Sequence, residues 1–199
     1  MSYTILDQAP PLNFRQRWNH YLLVIFALLG VLLGTNLKNS NLFSTSIYSN
    51  PEAGIRAEYP SNWLIDASGD YVFRLRNTTE IGYKTTFQVT VRPVSPQTTS
   101  RAILDSLTLN RAQILAAYKI LGITSPFFLP DETEGTAMSY TYADSDNDPF
   151  LESVPVVVRG IDVLVIKRGQ AIIITYLSDA QTFEQNYIVF NKFLASLEF

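Results

Sequence analysis

Hydrophobic positions along the chain follow two regimes. Between Trp18 and Leu37 there is no Asp, Glu, Lys or Arg, and from Tyr21 to Leu33 every residue is apolar or glycine apart from one phenolic hydroxyl. Beyond Gly54 the apolar residues alternate or recur at helical spacing, broken by polar turns. An uncharged stretch of about 20 residues, rising 1.5 Å each, reaches roughly 30 Å, the thickness of a bilayer's hydrocarbon core. Residues 18–37 therefore read as a transmembrane anchor. Its apolar body is Leu22, Leu23, Val24, Ile25, Phe26, Leu28, Leu29, Val31, Leu32 and Leu33, with Trp18 and Tyr21 in the interfacial aromatic belt.

The flanks of the anchor set its direction. Arg15, Arg17 and the amino terminus precede it against a lone Asp7, whereas only Lys38 lies close behind. The positive-inside bias then predicts a single-pass protein of the cell membrane, with a short cytoplasmic tail (residues 1–17) and an extracytoplasmic bulk. Basic residues before a hydrophobic core also describe a cleaved signal peptide, although no A-x-A site comes after Leu33. Either reading exports the C-terminal bulk of the chain. Lys38 to Pro51 is rich in Asn and Ser without clear periodicity and reads as a linker, leaving residues 52–199 as one exported α+β domain.

Gly54 to Tyr59 reads as a first strand, joined across Pro60-Ser61-Asn62 in a hairpin to the extended run Trp63, Leu64 and Ile65. Tyr71 to Arg76 and Thr86 to Val94 alternate as half-buried strands should. A helix is predicted from an N-cap at Thr99 or Ser100, through Ile103, Leu107, Ile114, Tyr118 and Leu121, to a stop at Gly122, with Asn110 as a candidate break. Ala137 to Ala143 alternates again. Ile161 to Ile166 and Ala171 to Leu177 flank Lys167-Arg168-Gly169-Gln170 as a hairpin, and their almost continuous apolar character suits the middle of a sheet. A last helix, N-capped by Ser178, carries Phe183, Tyr187, Phe190, Leu194 and Leu197 on the face that must pack on the sheet.

Composition narrows the chemistry. A chain that is 47% hydrophobic and 17% charged suits a globule attached to a membrane segment, and a net charge of −3 argues against nucleic acid as a partner. The absence of Cys removes disulfides, thiolate catalysis and Cys-ligated metals. The sole histidine, His20, lies at the membrane boundary, which removes Ser-His-Asp catalysis and histidine-ligated zinc from the domain. No GxxxxGK or GxGxxG phosphate loop occurs. Carboxylate pairs stay open, but nothing nominates one. The expectation is a protein without catalytic residues or cofactor.

Four local features remain. Asp144, Asp146 and Asp148 alternate in Asp144-Ser145-Asp146-Asn147-Asp148 and could offer hard oxygens to Ca²⁺. The segment fails as an EF-hand loop, with Pro149 at the sixth position and Pro155 at the twelfth, and reads as a solvated acidic loop. Arg74 and Arg76 with Arg92 form a small basic face between strands, solvated or anion-binding. Asn77-Thr78-Thr79 fits a glycosylation sequon and reads as a strand-ending turn. Val154 to Val158 is apolar without alternation, and Pro155 forbids a central strand there, so it is a core segment or an exposed contact strip.

The segment Ile55-Arg56-Ala57-Glu58-Tyr59-Pro60-Ser61-Asn62-Trp63, the run Thr86 to Pro93, and the ending that holds Ile173, Thr175, Tyr176, Phe183, Phe190 and Ser196-Leu197-Glu198-Phe199 together resemble the PsbP-like family, named after an extrinsic subunit of photosystem II. The resemblance brackets nearly the whole domain. It implies an antiparallel β-sheet sandwiched by helices and a non-enzymatic role in binding or helping to assemble membrane complexes. These are packing motifs, which carry fold better than function. The chain departs from the photosystem subunit in keeping an anchor. The expected function is thus a membrane-anchored extracytoplasmic binding or assembly module with a protein partner; the alternative is a ligand-sensing domain or a carboxylate-dependent enzyme, and a third is Ca²⁺-dependent adhesion.

Overall fold

The computed structural model describes residues 13–42, 44–80, 82–145 and 155–199. The chain divides into two compact units, Met1–Phe43 and Ser44–Phe199. In the first, α1 (Phe14–Leu42) is a single helix. Its stretch Arg17–Lys38, 22 residues or roughly 33 Å at 1.5 Å per residue, is long and apolar enough to cross a membrane. Every expected anchor side chain is exposed on it. The Thr35 hydroxyl donates back to the carbonyls of Val31 and Leu32 at 2.9 and 3.0 Å, so its proton is satisfied within the helix. Residues 1–12 of the expected tail lie outside the described residues.

The second unit is an α+β sandwich. Strands β1 (Thr45–Asn50) and β2 (Ile55–Pro60) form an antiparallel pair. The main sheet is antiparallel and contains β3 (Leu64–Asp66), β4 (Phe73–Arg76), β5 (Thr86–Pro93), β6 (Ala116–Phe128), β7 (Glu134–Asp144), β8 (Val156–Lys167) and β9 (Gln170–Asp179), in the order β3-β4-β5-β9-β8-β7-β6. Helix α2 (Ser100–Ile114) packs over β6 and β8 on one face, and α3 (Phe183–Ser196) over β9 and β2 on the other.

Strand alternation builds the two cores. On the α3 face, Phe73, Leu75, Phe87, Val89, Ile174 and Tyr176 meet Phe190, Phe193 and Leu194. Phe87 sits at the centre, its ring centroid 4.6 Å from Trp63, 5.3 Å from Phe190 and 5.2 Å from Phe193. On the α2 face, Leu104 packs with Met138, Tyr140, Leu164 and Ile173. The β8–β9 hairpin closes on Arg168-Gly169, both at positive φ (53° and 73°), as a two-residue turn matched to the strand twist requires.

Several expectations are corrected. The helix predicted to Gly122 ends at Ile114, where Leu115 is extended, and Tyr118 and Leu121 belong to β6. From Ala116 the backbone finds β7 as a partner, with Lys119 opposite Thr141 and Gly122 opposite Ser139, and tertiary pairing overrides a spacing that also fitted a helix. The first hairpin is exchanged: β2 pairs with β1, and β3 pairs with β4, because Trp63 leaves the turn to enter the core beside Phe87. Thr45–Asn50, expected in the linker of residues 38–51, is therefore strand, and the domain expected from residue 52 begins at Ser44. Ser178 does not cap α3; Thr182 occupies that position, while Ser178 is buried at the end of β9 and bonds Thr85 at 3.0 Å. Val156–Val158 enters the central strand β8, with Pro155 just ahead of it where its missing N–H costs no ladder bond. Val154 lies outside the described residues.

Candidate functional site

Register aligns a polar row across the α2 face of the sheet. Asp66 on β3 stands opposite Arg74 on β4, Arg74 opposite Gln88 on β5, Gln88 opposite Thr175 on β9, and Thr175 opposite Asp162 on β8. Each residue holds the next or a neighbour. Asp66 accepts from the Ser68 hydroxyl at 2.6 Å and from the Tyr71 phenol, and these bonds hold its carboxyl well below the usual carboxylate range. The Arg74 guanidinium lies 4.3 Å above the Tyr71 ring, and its Nε donates to Gln88 Oε1 at 3.0 Å. Gln88 Nε2 donates to Thr90 Oγ1 at 3.3 Å. Thr175 Oγ1 donates to Asp162 Oδ1 at 2.8 Å.

The row ends in a buried ion pair. Asp162 is fully buried and receives both terminal nitrogens of Arg111 from α2, with Nη2 to Oδ1 at 3.0 Å. The Tyr140 hydroxyl donates to the same oxygen at a long 3.4 Å, and the Arg111 guanidinium lies 4.4 Å over the Tyr140 ring. Burial opposes the Arg111 charge, but Asp162 and Tyr140 outweigh it and raise its pKa. The Tyr140 ring fits at this point because Gly160 stands opposite it: a Cβ there would meet the ring at 2.5 Å.

Beside α2, over the outer part of this row, a groove of about 420 Å³ opens. Arg74, Gln88, Thr90, Arg92 and Thr175 come from the sheet, Gly69, Asp70 and Tyr71 from the loop before β4, and Leu107 and Arg111 from α2, with Ile173 on β9. Of the basic face expected from sequence, Arg74 and Arg92 thus meet here, joined by Arg111, while Arg76 lies outside the lining. Asp162 and Arg111 carried no motif. Asp162 is nevertheless the only charged residue within Ile161 to Ile166, and an acid amid an apolar central strand is a signal that demands a buried partner.

The acidic cluster is not assembled in view. Asp144 is the last residue of β7, opposite Val156, while Asp146 and Asp148 lie outside the described residues. Among the described residues no group of three or more His, Asp or Glu side chains is placed to hold a metal ion. Asn77 bonds Thr79 N and Oγ1 at 3.2 and 2.7 Å, the strand-ending turn expected.

No protein-family model matches the chain, and no curated protein matches it. Solved structures do. The solution structure of the cyanobacterial PsbP, CyanoP, from Synechocystis sp. PCC 6803 superposes with a TM-score of 0.55 at 14% identity, over 78% of this chain and 92% of that one. The chain has a PsbP-like fold. LpqN of Mycobacterium tuberculosis, involved in cell envelope biogenesis, superposes on the same PsbP-like sandwich with a TM-score of 0.50 at 10% identity, over 78% of this chain and 90% of that one. Identities this low speak for the PsbP-like architecture and not for shared chemistry.

Proposed function

We propose that this protein is a single-pass membrane-anchored module whose PsbP-like domain is exported and binds, or helps to assemble, a membrane or extracytoplasmic protein complex without catalysing a reaction. The N-terminus lies in the cytoplasm, as Arg15 and Arg17 before the span and only Lys38 close behind it favour. The observation that carries the reading is α1, whose stretch Arg17–Lys38, 22 residues, is long and apolar enough to cross a membrane and lies ahead of the domain in the chain. CyanoP is a PsbP, and LpqN takes part in cell envelope biogenesis, a setting that suits an exported module. Strand β6 adds a surface: among the described residues it ends the sheet with no strand beyond it, and Leu121, Ile123 and Phe128 are exposed along it.

Because the chain contains no Cys, single substitutions give clean topology probes. Arg168→Cys, in the exposed β8–β9 turn, is expected to react with a membrane-impermeant maleimide in intact cells, whereas Ser2→Cys reacts only after lysis. The reverse pattern would sink the exported-domain reading. Crosslinking of the full chain in its native membrane, followed by pull-down, is expected to recover a stoichiometric protein partner; recovery of the chain alone counts against assembly.

A further inference from the structure

We propose that the groove beside α2 binds a small organic oxyanion, a carboxylate or phosphate carried on a compact body, through Arg74 and Arg92. The site stands apart from the anchored-module reading, since neither depends on the other. A volume of about 420 Å³ falls within the range of small-molecule sites, and it opens over polar rather than apolar floor.

Charge is local there, and only partly compensated. The protein as a whole is negative at −3, yet three guanidiniums line this groove against one carboxylate, Asp70. Arg111 is neutralised by Asp162. Asp66 stands across the strands from Arg74 and Asp70 lies in the lining, but among the described residues neither Arg74 nor Arg92 belongs to an ion pair, so both guanidiniums are open to an added oxyanion.

Arg74 is also held ready. Tyr71 supports its plane, Asp66 fixes Tyr71, and Gln88 takes the Nε proton, which leaves the terminal nitrogens to face a ligand. A guanidinium fixed before binding loses little freedom when it forms a fork with an oxyanion. The buried Thr90 hydroxyl, which accepts from Gln88, keeps its own proton to donate. Leu107 and Ile173 supply apolar wall for the body of the ligand.

The test monitors the arginine side-chain N–H signals of the full chain in neutral-detergent micelles by NMR during titration with inorganic phosphate and with succinate. Saturable shifts of the Arg74 and Arg92 signals are expected below about 50 mM, and the double variant Arg74→Gln/Arg92→Gln is expected to weaken binding at least about tenfold, since charge-assisted bonds to both are lost. Arg101→Gln, on the same helix as Arg111 but paired with Asp105 in solvent, is expected to leave it unchanged. A second arm places the chain in phosphatidylcholine discs with or without phosphatidylglycerol. If the same two signals respond to the anionic lipid alone, the oxyanion is a headgroup; if they respond to the soluble anions in both discs, it is a free solute. No saturable shift of either signal with any of these probes, or equal loss in the Arg101 variant, overturns the proposal.

Discussion

The Arg111–Asp162 pair gives the sharpest test of how the α2 side of the sheet is held. Replacing Arg111 by Met keeps most of the aliphatic stem and removes the charge. Asp162, at 0% exposure, is then left with the Thr175 bond at 2.8 Å and the long Tyr140 contact at 3.4 Å. A buried carboxylate stripped of its partner costs about 3–5 kcal/mol. Urea unfolding of the full chain in micelles, monitored by the fluorescence of buried Trp63 with Trp18 replaced by Phe, reads that loss as a lowered midpoint. Arg111→Met combined with Asp162→Leu should recover most of the loss, since an apolar pair of similar volume commonly matches a buried ion pair. A loss under about 1 kcal/mol, or no recovery in the double variant, would refute the account of this pair as a charge that cannot be left alone.

Two further outcomes are expected. Phe87→Ala should destabilise the domain by about 3–5 kcal/mol, because the ring is fully buried among Trp63, Tyr176, Phe190 and Phe193 and its removal leaves a cavity, measured as a shift in the urea midpoint. At alkaline pH, burial raises the pKa values of Tyr140, Tyr142 and Tyr176, so the folded state keeps phenol protons that the unfolded chain gives up. Stability is intact below about pH 10 and falls above it, by up to about 4 kcal/mol per pH unit for the three groups, with phenolate absorbance appearing together with unfolding; early, separate ionisation would count against their burial.

The parts of the fold that local chemistry dictates were legible. Lys167-Arg168-Gly169-Gln170 between two apolar runs announces its hairpin because few residues tolerate positive φ at the turn, and Phe183, Tyr187, Phe190 and Leu194 announce α3 through spacing alone. Where partners decide, the sequence was ambiguous. Ile114, Tyr118 and Leu121 fit a helix or a strand, and only β7 alongside settles the last two as strand. Pro60-Ser61-Asn62 marks a turn without saying whether the strands on either side pair with each other. The site was legible in fragments: Arg74 and Arg92 lie 18 positions apart and could be guessed to share a face. Arg111 and Asp162, separated by 51 positions, meet only through the register of β9 with β8 and the placement of α2.

The order of the strands also dictates when the domain can finish. The half-sheet β3-β4-β5 has no neighbour on its inner side until β9 arrives, yet β9 comes near the end of the chain, and the aromatic lid over Phe87 comes later still in α3. During synthesis the first half must wait, its apolar face uncovered, for the C-terminal residues to emerge. Such a chain is exposed to premature association until its last turn of helix is made, and truncations of even a few residues near the end should be felt in the strands made first.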